Sequence, residues 1–202
     1  MGKLINNKRA VKWVLMGLIA VIIGFAAILF SVSMVNGDKE VSAQSSVDTV
    51  SSQNMVIDSS SEYADKLYGC LVSDVNDTAA VVKLLETMGL ESVAGKYNAT
   101  IKTEGDMHIL SVSLEDSVQK TGKKVLDGNM KKCAQQIMAL VPSVGQVQWT
   151  YSLISSEEAD ETVTVSVDEE AAAEKLSKDI KSYGNSADTF KALLEEQAGL
   201  SQ

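Results

Sequence analysis

Val144-Gly145-Gln146-Val147-Gln148-Trp149-Thr150-Tyr151-Ser152-Leu153-Ile154 is the stretch that sets the fold class. Val147, Trp149, Tyr151 and Leu153 recur at period two with polar residues between them, the pattern of a strand with one buried and one wet face. No other part of the chain gives so long a strand signal. Pro142 stands just before it and ends the preceding helix, because a residue ahead of proline is held away from the helical region. That helix reads from Asn129, a capping residue, to about Leu140, with Met130, Cys133, Ile137, Met138 and Val141 as its apolar stripe.

Toward the N-terminus, Tyr97–Thr103 and Met107–Leu114 alternate in the same way, and Glu104-Gly105-Asp106 between them is a hairpin signal. Thr78–Met88 reads as a helix buried along Val81, Val82, Leu84, Leu85 and Met88, with Gly89 as its stop. Lys66–Val72 reads as a short strand, carrying Leu67, Cys70 and Val72. Folded sequence is expected to begin near Glu62. Toward the C-terminus, Thr162–Val167 is a further strand, and Asp168-Glu169-Glu170 begins a helix whose acids suit the positive end of its dipole. Ala171–Ile180 would form the body of that helix and Tyr183-Gly184-Asn185 its end. Ser186 then caps a last helix through about Gln197, with Ala187, Phe190, Leu193 and Leu194 inward. The order β-α-β-β-α-β-β-α-α implies an α+β domain over 62–198, a small antiparallel or mixed sheet packed with helices.

A different kind of segment precedes it. Trp13–Val35 is 23 residues without a charge, 19 of them apolar. As a helix it would be about 35 Å long, enough to cross a hydrocarbon layer of roughly 30 Å. Lys3, Lys8, Arg9 and Lys12 precede it and no acid occurs before Asp38, which predicts one transmembrane helix over 13–35 with residues 1–12 cytoplasmic and the remainder outside. The alternative is a cleaved signal peptide ending at Val41-Ser42-Ala43, before Gln44. Residues 36–61 hold eight serines and no aromatic residue and read as a flexible tether. Within them, Met55–Ile57 is a candidate first strand.

Charge narrows the partners. The chain has 18 Lys+Arg and 27 Asp+Glu, a formal net charge of −9. With the four N-terminal cations inside, the outer portion carries 14 bases and 27 acids, 14 − 27 = −13, and no arginine, since Arg9 is the sole one. Nucleic acid is therefore not an expected partner, and bidentate clamping of carboxylate or phosphate has no residue to perform it.

No cofactor, metal or catalytic set is expected. His108, the sole histidine, sits in a strand without clustered ligands. Asp74, Asn76 and Asp77 lack the glycine and terminal glutamate of a calcium loop and suit helix capping better. Glu157, Glu158, Asp160 and Glu161 read as a wet surface turn. Thr121-Gly122-Lys123-Lys124 has Thr-x-x-Lys spacing without a supporting motif. Cys70 and Cys133, 63 positions apart, are read as free thiols, with a disulfide as the alternative. Trp149 and Tyr151 share one strand face and suit either core packing or a ligand or protein contact.

Asn76-Asp77-Thr78-Ala79-Ala80-Val81 before Leu84-Leu85, Asn129 through Ile137-Met138-Ala139-Leu140, the strand with Val147 and Trp149, Val163–Glu170, and the late Tyr183 and Phe190 together resemble an extracytoplasmic domain family of unknown function from Gram-positive bacteria. That family occurs on single membrane anchors and also behind BlaR/MecR-type membrane sensor metallopeptidases. The resemblance implies an accessory or sensing head on the cell membrane, with a membrane or envelope protein as its partner and no established ligand. A His-Glu-x-x-His motif is absent from the sequence, so peptidase activity is not implied. The expected function is a membrane-anchored extracytoplasmic binding or regulatory domain. A structural or assembly component of the envelope is the alternative, and a hydrolase a third reading.

Overall fold

A computed structural model describes residues 28–31, 53–154 and 160–199. The mixed sheet comprises β1 (Ile28–Ser31), β2 (Tyr97–Glu104), β3 (Met107–Leu114), β4 (Val118–Gln119), β5 (Val144–Ile154) and β6 (Glu161–Asp168). Antiparallel ladders join β1 to β2, β2 to β3 and β5 to β6, whereas β3 and β5 run parallel. Short β4 pairs with Leu153 and Ile154 and so continues the lane of β3 beside β5. The helices are α1 (Ser61–Tyr68), α2 (Thr78–Thr87), α3 (Leu90–Ala94), α4 (Lys123–Leu140), α5 (Glu169–Ala173) and α6 (Ala187–Gly199), with a 3-10 helix at Ile180–Asn185. A parallel β3–β5 pair needs a crossover, and α4 supplies it.

Alternation puts Tyr97, Ala99 and Ile101 of β2, Leu110, Val112 and Leu114 of β3, and Val147, Trp149, Tyr151 and Leu153 of β5 into the core with Leu84 and Leu85 of α2, Met130 and Ile137 of α4 and Phe190 and Leu193 of α6. The alternate positions are mostly Ser, Thr, Asn and Gln, with Lys102 and the buried Ile109 as exceptions. Gln148 there donates to Ser111 Oγ at 2.7 Å, and the hydroxyls of Thr150 and Thr164 meet at 2.9 Å.

Several elements differ from the sequence expectation. Lys66–Val72 is not a strand, because Ser60 caps the amide of Tyr63 and buries Ala64 and Leu67 three apart, which makes the helix α1. α4 begins at Lys123, six residues before Asn129, so Asn129 lies inside the helix and not at its cap. The helix after β6 spans only Glu169–Ala173; Lys175 then takes a left-handed φ of 70°, and Asp179 caps the separate 3-10 turn. The tether also ends earlier than expected. Met55 and Ile57 pack against the core from an irregular segment, not from a strand.

Of the expected transmembrane segment 13–35, only Ile28–Ser31 is described, and those four residues form an extended edge strand on Asn98–Ile101. The open edge of β2 offers these residues backbone partners. Among the described residues no helix is long and apolar enough to cross a membrane. A helix continuing through lipid to Val35 and this edge strand are exclusive placements of the same four residues.

Burial of acidic protons links the core to pH. Desolvation pushes the Cys133 thiol up to about 12 and the Tyr97 phenol up to about 12, and burial beside Glu196 does the same to Tyr183. An unfolded chain releases these protons at their ordinary values of 9.0 to 10.0 while the fold still holds them. Stability is therefore intact below pH ~9 and falls as pH rises toward ~12, with a slope approaching about 1.4 kcal/mol per pH unit for each group. Urea titrations at pH 8, 9.5 and 11 measure this decline, and Cys133→Ala is expected to flatten it by about one proton.

Candidate functional site

Trp149 and Tyr151 stand side by side on the face expected from their spacing, and that face is the inner one, where both are about 1% exposed. Their polar tips converge on Asp127 of α4. Trp149 Nε1 donates to Asp127 Oδ1 at 2.9 Å, and Tyr151 Oη donates to the same oxygen at 3.1 Å. Lys123 Nζ lies 2.8 Å from Asp127 Oδ2 and 3.1 Å from Tyr151 Oη. Desolvation pushes the Tyr151 phenol up, against the pull of Lys123. A phenol so held is a poor proton donor near neutrality, and Lys123, the neighbour of the Lys124 that gives the Thr-x-x-Lys spacing, is engaged here. The cluster locks α4 to β5, and its aromatic rings offer no ligand surface in this structure.

Cys70 and Cys133 are separate free thiols, so the disulfide alternative is not formed. Cys70 is half-buried near Lys66 O and Thr87 Oγ1, both at 3.6 Å, whereas Cys133 is buried in α4. His108 Nδ1 meets Thr103 Oγ1 at 3.0 Å across the β2–β3 ladder. Asp74 and Asp77 bond the amides of Asn76 and Ala80, which is turn and cap geometry. Among the described residues no group of three or more His, Cys, Asp and Glu is placed to hold a metal ion.

A concave feature among the described residues lies at one end of the sheet. Parallel β3 and β5 start there, and antiparallel β2 and β6 finish there, so loops distant in sequence converge. Glu104, Asp106 and Met107 come from the β2–β3 turn, Pro142, Ser143 and Gly145 from the entry to β5, and Asp168, Glu169 and Glu170 from the β6–α5 junction. They surround a groove of about 680 Å³ whose lining includes five carboxylates and no base. Gly105 turns the hairpin with φ +63°, a conformation glycine takes without strain. Gly145 makes room for Met107, whose Cγ would lie 2.9 Å from a Cβ at that position.

Beneath this rim Lys181 ties the 3-10 helix to the sheet. Its ammonium donates to the carbonyls of Met138 and Val144 and lies 3.6 Å from Glu169 Oε1. Burial pushes its pKa down, with Glu169 opposing that shift. Its positive charge, which neutral carbonyls do not cancel, offsets part of the charge of Glu169 and leaves the other four rim carboxylates in excess.

Sequence reasoning took Glu104-Gly105-Asp106 only as a turn and Asp168-Glu169-Glu170 only as a helix start. The signal that joins them is topological: a long helix between two strands implies a parallel pair, whose leading ends then share one edge of the domain. Comparisons with protein-family models, with curated proteins and with solved structures find no match.

Proposed function

We propose that the chain is a membrane-anchored extracytoplasmic binding head, held by residues 13–35 with its N-terminus inside, and that its groove takes a cationic organic ligand such as a lysine-rich peptide or a polyamine. The observation that carries this is the groove itself, about 680 Å³ with five carboxylates around Met107. Its acids are divided between two loops and do not converge as a metal cage does, which suits several cationic groups on one extended ligand better than a single ion. The methylene stems of lysine or polyamine would cover Met107 while their ammonium groups meet the rim. An outer charge of 14 − 27 = −13 raises the local concentration of such ligands.

The resemblance to the family found with membrane sensors supplies the setting: a head that reads cationic compounds at the envelope and passes the signal to a membrane partner. In the anchored state Ile28–Ser31 leaves β2, and the sheet keeps β2, β3, β4, β5 and β6. From Val35 to Gln53 the chain is long enough to span roughly 60 Å when extended, so the groove need not lie against lipid.

Full-length protein in neutral-lipid nanodiscs, titrated with a fluorescent hexalysine peptide, tests the reading. Binding is expected to weaken at least fivefold between 50 and 300 mM salt. Combined replacement Glu104→Gln, Asp106→Asn and Glu170→Gln is expected to weaken it at least tenfold with thermal stability unchanged. Equal binding by the two proteins rejects the groove as the site. Protease digestion of the head in intact cells tests the orientation separately.

A further inference from the structure

Asn129 occupies a position where a helix has little use for it. It lies in the middle of α4, is 4% exposed, and cannot cap a helix that begins six residues earlier. Its carboxamide instead faces the chain ahead of α1. Nδ2 donates to the carbonyl of Gln53 at 2.9 Å, and Oδ1 accepts from the amide of Met55 at 3.0 Å. In an extended chain the carbonyl of one residue and the amide of the second residue after it point to the same side. One carboxamide therefore reads a backbone edge as a neighbouring strand would, whatever side chain lies between.

Side chains supply the rest of the contact. Met55 and Ile57, two apart, pack against the core, whereas Val56 between them is 93% exposed. The seated residues, Gln53-Asn54-Met55-Val56-Ile57, are uncharged. Two main-chain hydrogen bonds and two half-buried side chains are a small hold for the last part of a serine-rich tether. With residues 53–57 seated, Asn129 is buried and both ends of its carboxamide are paired with them, so their departure without replacement leaves those ends to find new partners. That need favours exchange of one extended occupant for another over a vacant strip.

The geometry points to a peptide-binding strip on α4, centred on Asn129 and filled in cis by residues 53–57, that accepts in exchange an uncharged extended segment of a partner protein with apolar residues two positions apart. The strip shares no residue with the acidic groove and does not depend on what the groove binds. A partner strand seated there frees the tether at the point where it meets the head, so binding lengthens the reach of the head from the membrane.

The test uses full-length protein in nanodiscs and a fluorescent peptide of sequence Ser-Ser-Gln-Asn-Met-Val-Ile-Asp-Ser. Met55→Asp with Ile57→Asp vacates the strip. The peptide is expected to bind this variant at least tenfold more tightly than wild type, in which the cis segment competes. Adding Asn129→Ala is expected to weaken that binding about tenfold. A peptide with Asp at both apolar positions is expected not to bind. No binding by a vacated chain that retains its circular dichroism and Trp149 fluorescence overturns the proposal, as does binding indifferent to Asn129→Ala. Should the vacated chain lose its fold, wild type with excess peptide decides the matter. Faster hydrogen exchange at the Met55 amide supports displacement, and unchanged exchange overturns it.

Discussion

Gly184→Ala is expected to destabilise the head by more than about 3 kcal/mol, at the upper end of what overpacking costs. The cause is steric and local. A Cβ on residue 184 would lie 1.9 Å from the carbonyl oxygen of Ala139 and 3.0 Å from its carbon. Those are backbone atoms in the last turn of α4, so no rotamer change can clear them. Retreat of the 3-10 helix is also blocked. Tyr183, wholly buried, donates to Glu196 at 2.7 Å, and Lys181 is bonded to the carbonyls of Met138 and Val144. The melting temperature of full-length protein, followed by circular dichroism, is expected to fall by about 10 °C or more. Gly128→Ala in α4 is the matched control, since a Cβ there meets nothing within 4 Å. It is expected to raise stability by up to about 1 kcal/mol through helix propensity. A Gly184→Ala protein melting within 3 °C of wild type would refute the close approach.

The contrast between these glycines shows what the sequence makes legible. β3 and β5 have the limits expected from their alternation, and α2 was readable from its apolar face and the glycine behind it. In each case the signal is a period, and a period is local. Gly184 was read as a helix stop because its real reason, the nearness of Ala139, lies 45 positions away. Asn129 invited the same error: capping is the common local use of asparagine, and its partners at Gln53 and Met55 are long-range.

Three glutamines complete the point. Gln136 donates to Gln197 at 2.8 Å, Gln197 donates to Gln135 at 2.8 Å, and Gln135 donates to the carbonyl of Ala172 at 2.7 Å. All three side chains are buried and join α4, α5 and α6, although by composition they pass for surface residues. The groove was hidden for a related reason. Its acids belong to local turns and caps, and only the parallel pairing of β3 with β5 brings them together.

Asp127→Ala is the second substitution expected to act strongly, and it separates a satisfied polar cluster from an apolar core that merely tolerates one. The carboxylate accepts from Trp149 and Tyr151, both about 1% exposed, and from Lys123. Lys123 sits at the edge, 38% exposed as a side chain, and regains water when the acid is removed. The indole N–H has no such recourse. Leaving it and the phenol short of partners is expected to cost about 2–4 kcal/mol, most of it desolvation no longer repaid. Asp127→Asn separates shape from charge, because its carbonyl oxygen can still accept from Trp149 while its amide faces Lys123. Its expected cost is about 1–2 kcal/mol, and Lys123→Met added to it should recover part of that by removing the unpaired ammonium. The readout is close at hand: Trp13 and Trp149 are the only tryptophans. Emission from Trp149 should change with loss of its hydrogen bond in Asp127→Ala before the unfolding transition, and little in Asp127→Asn. If both variants unfold at the wild-type urea midpoint, the cluster does not hold α4 to β5, and packing alone fixes the crossover.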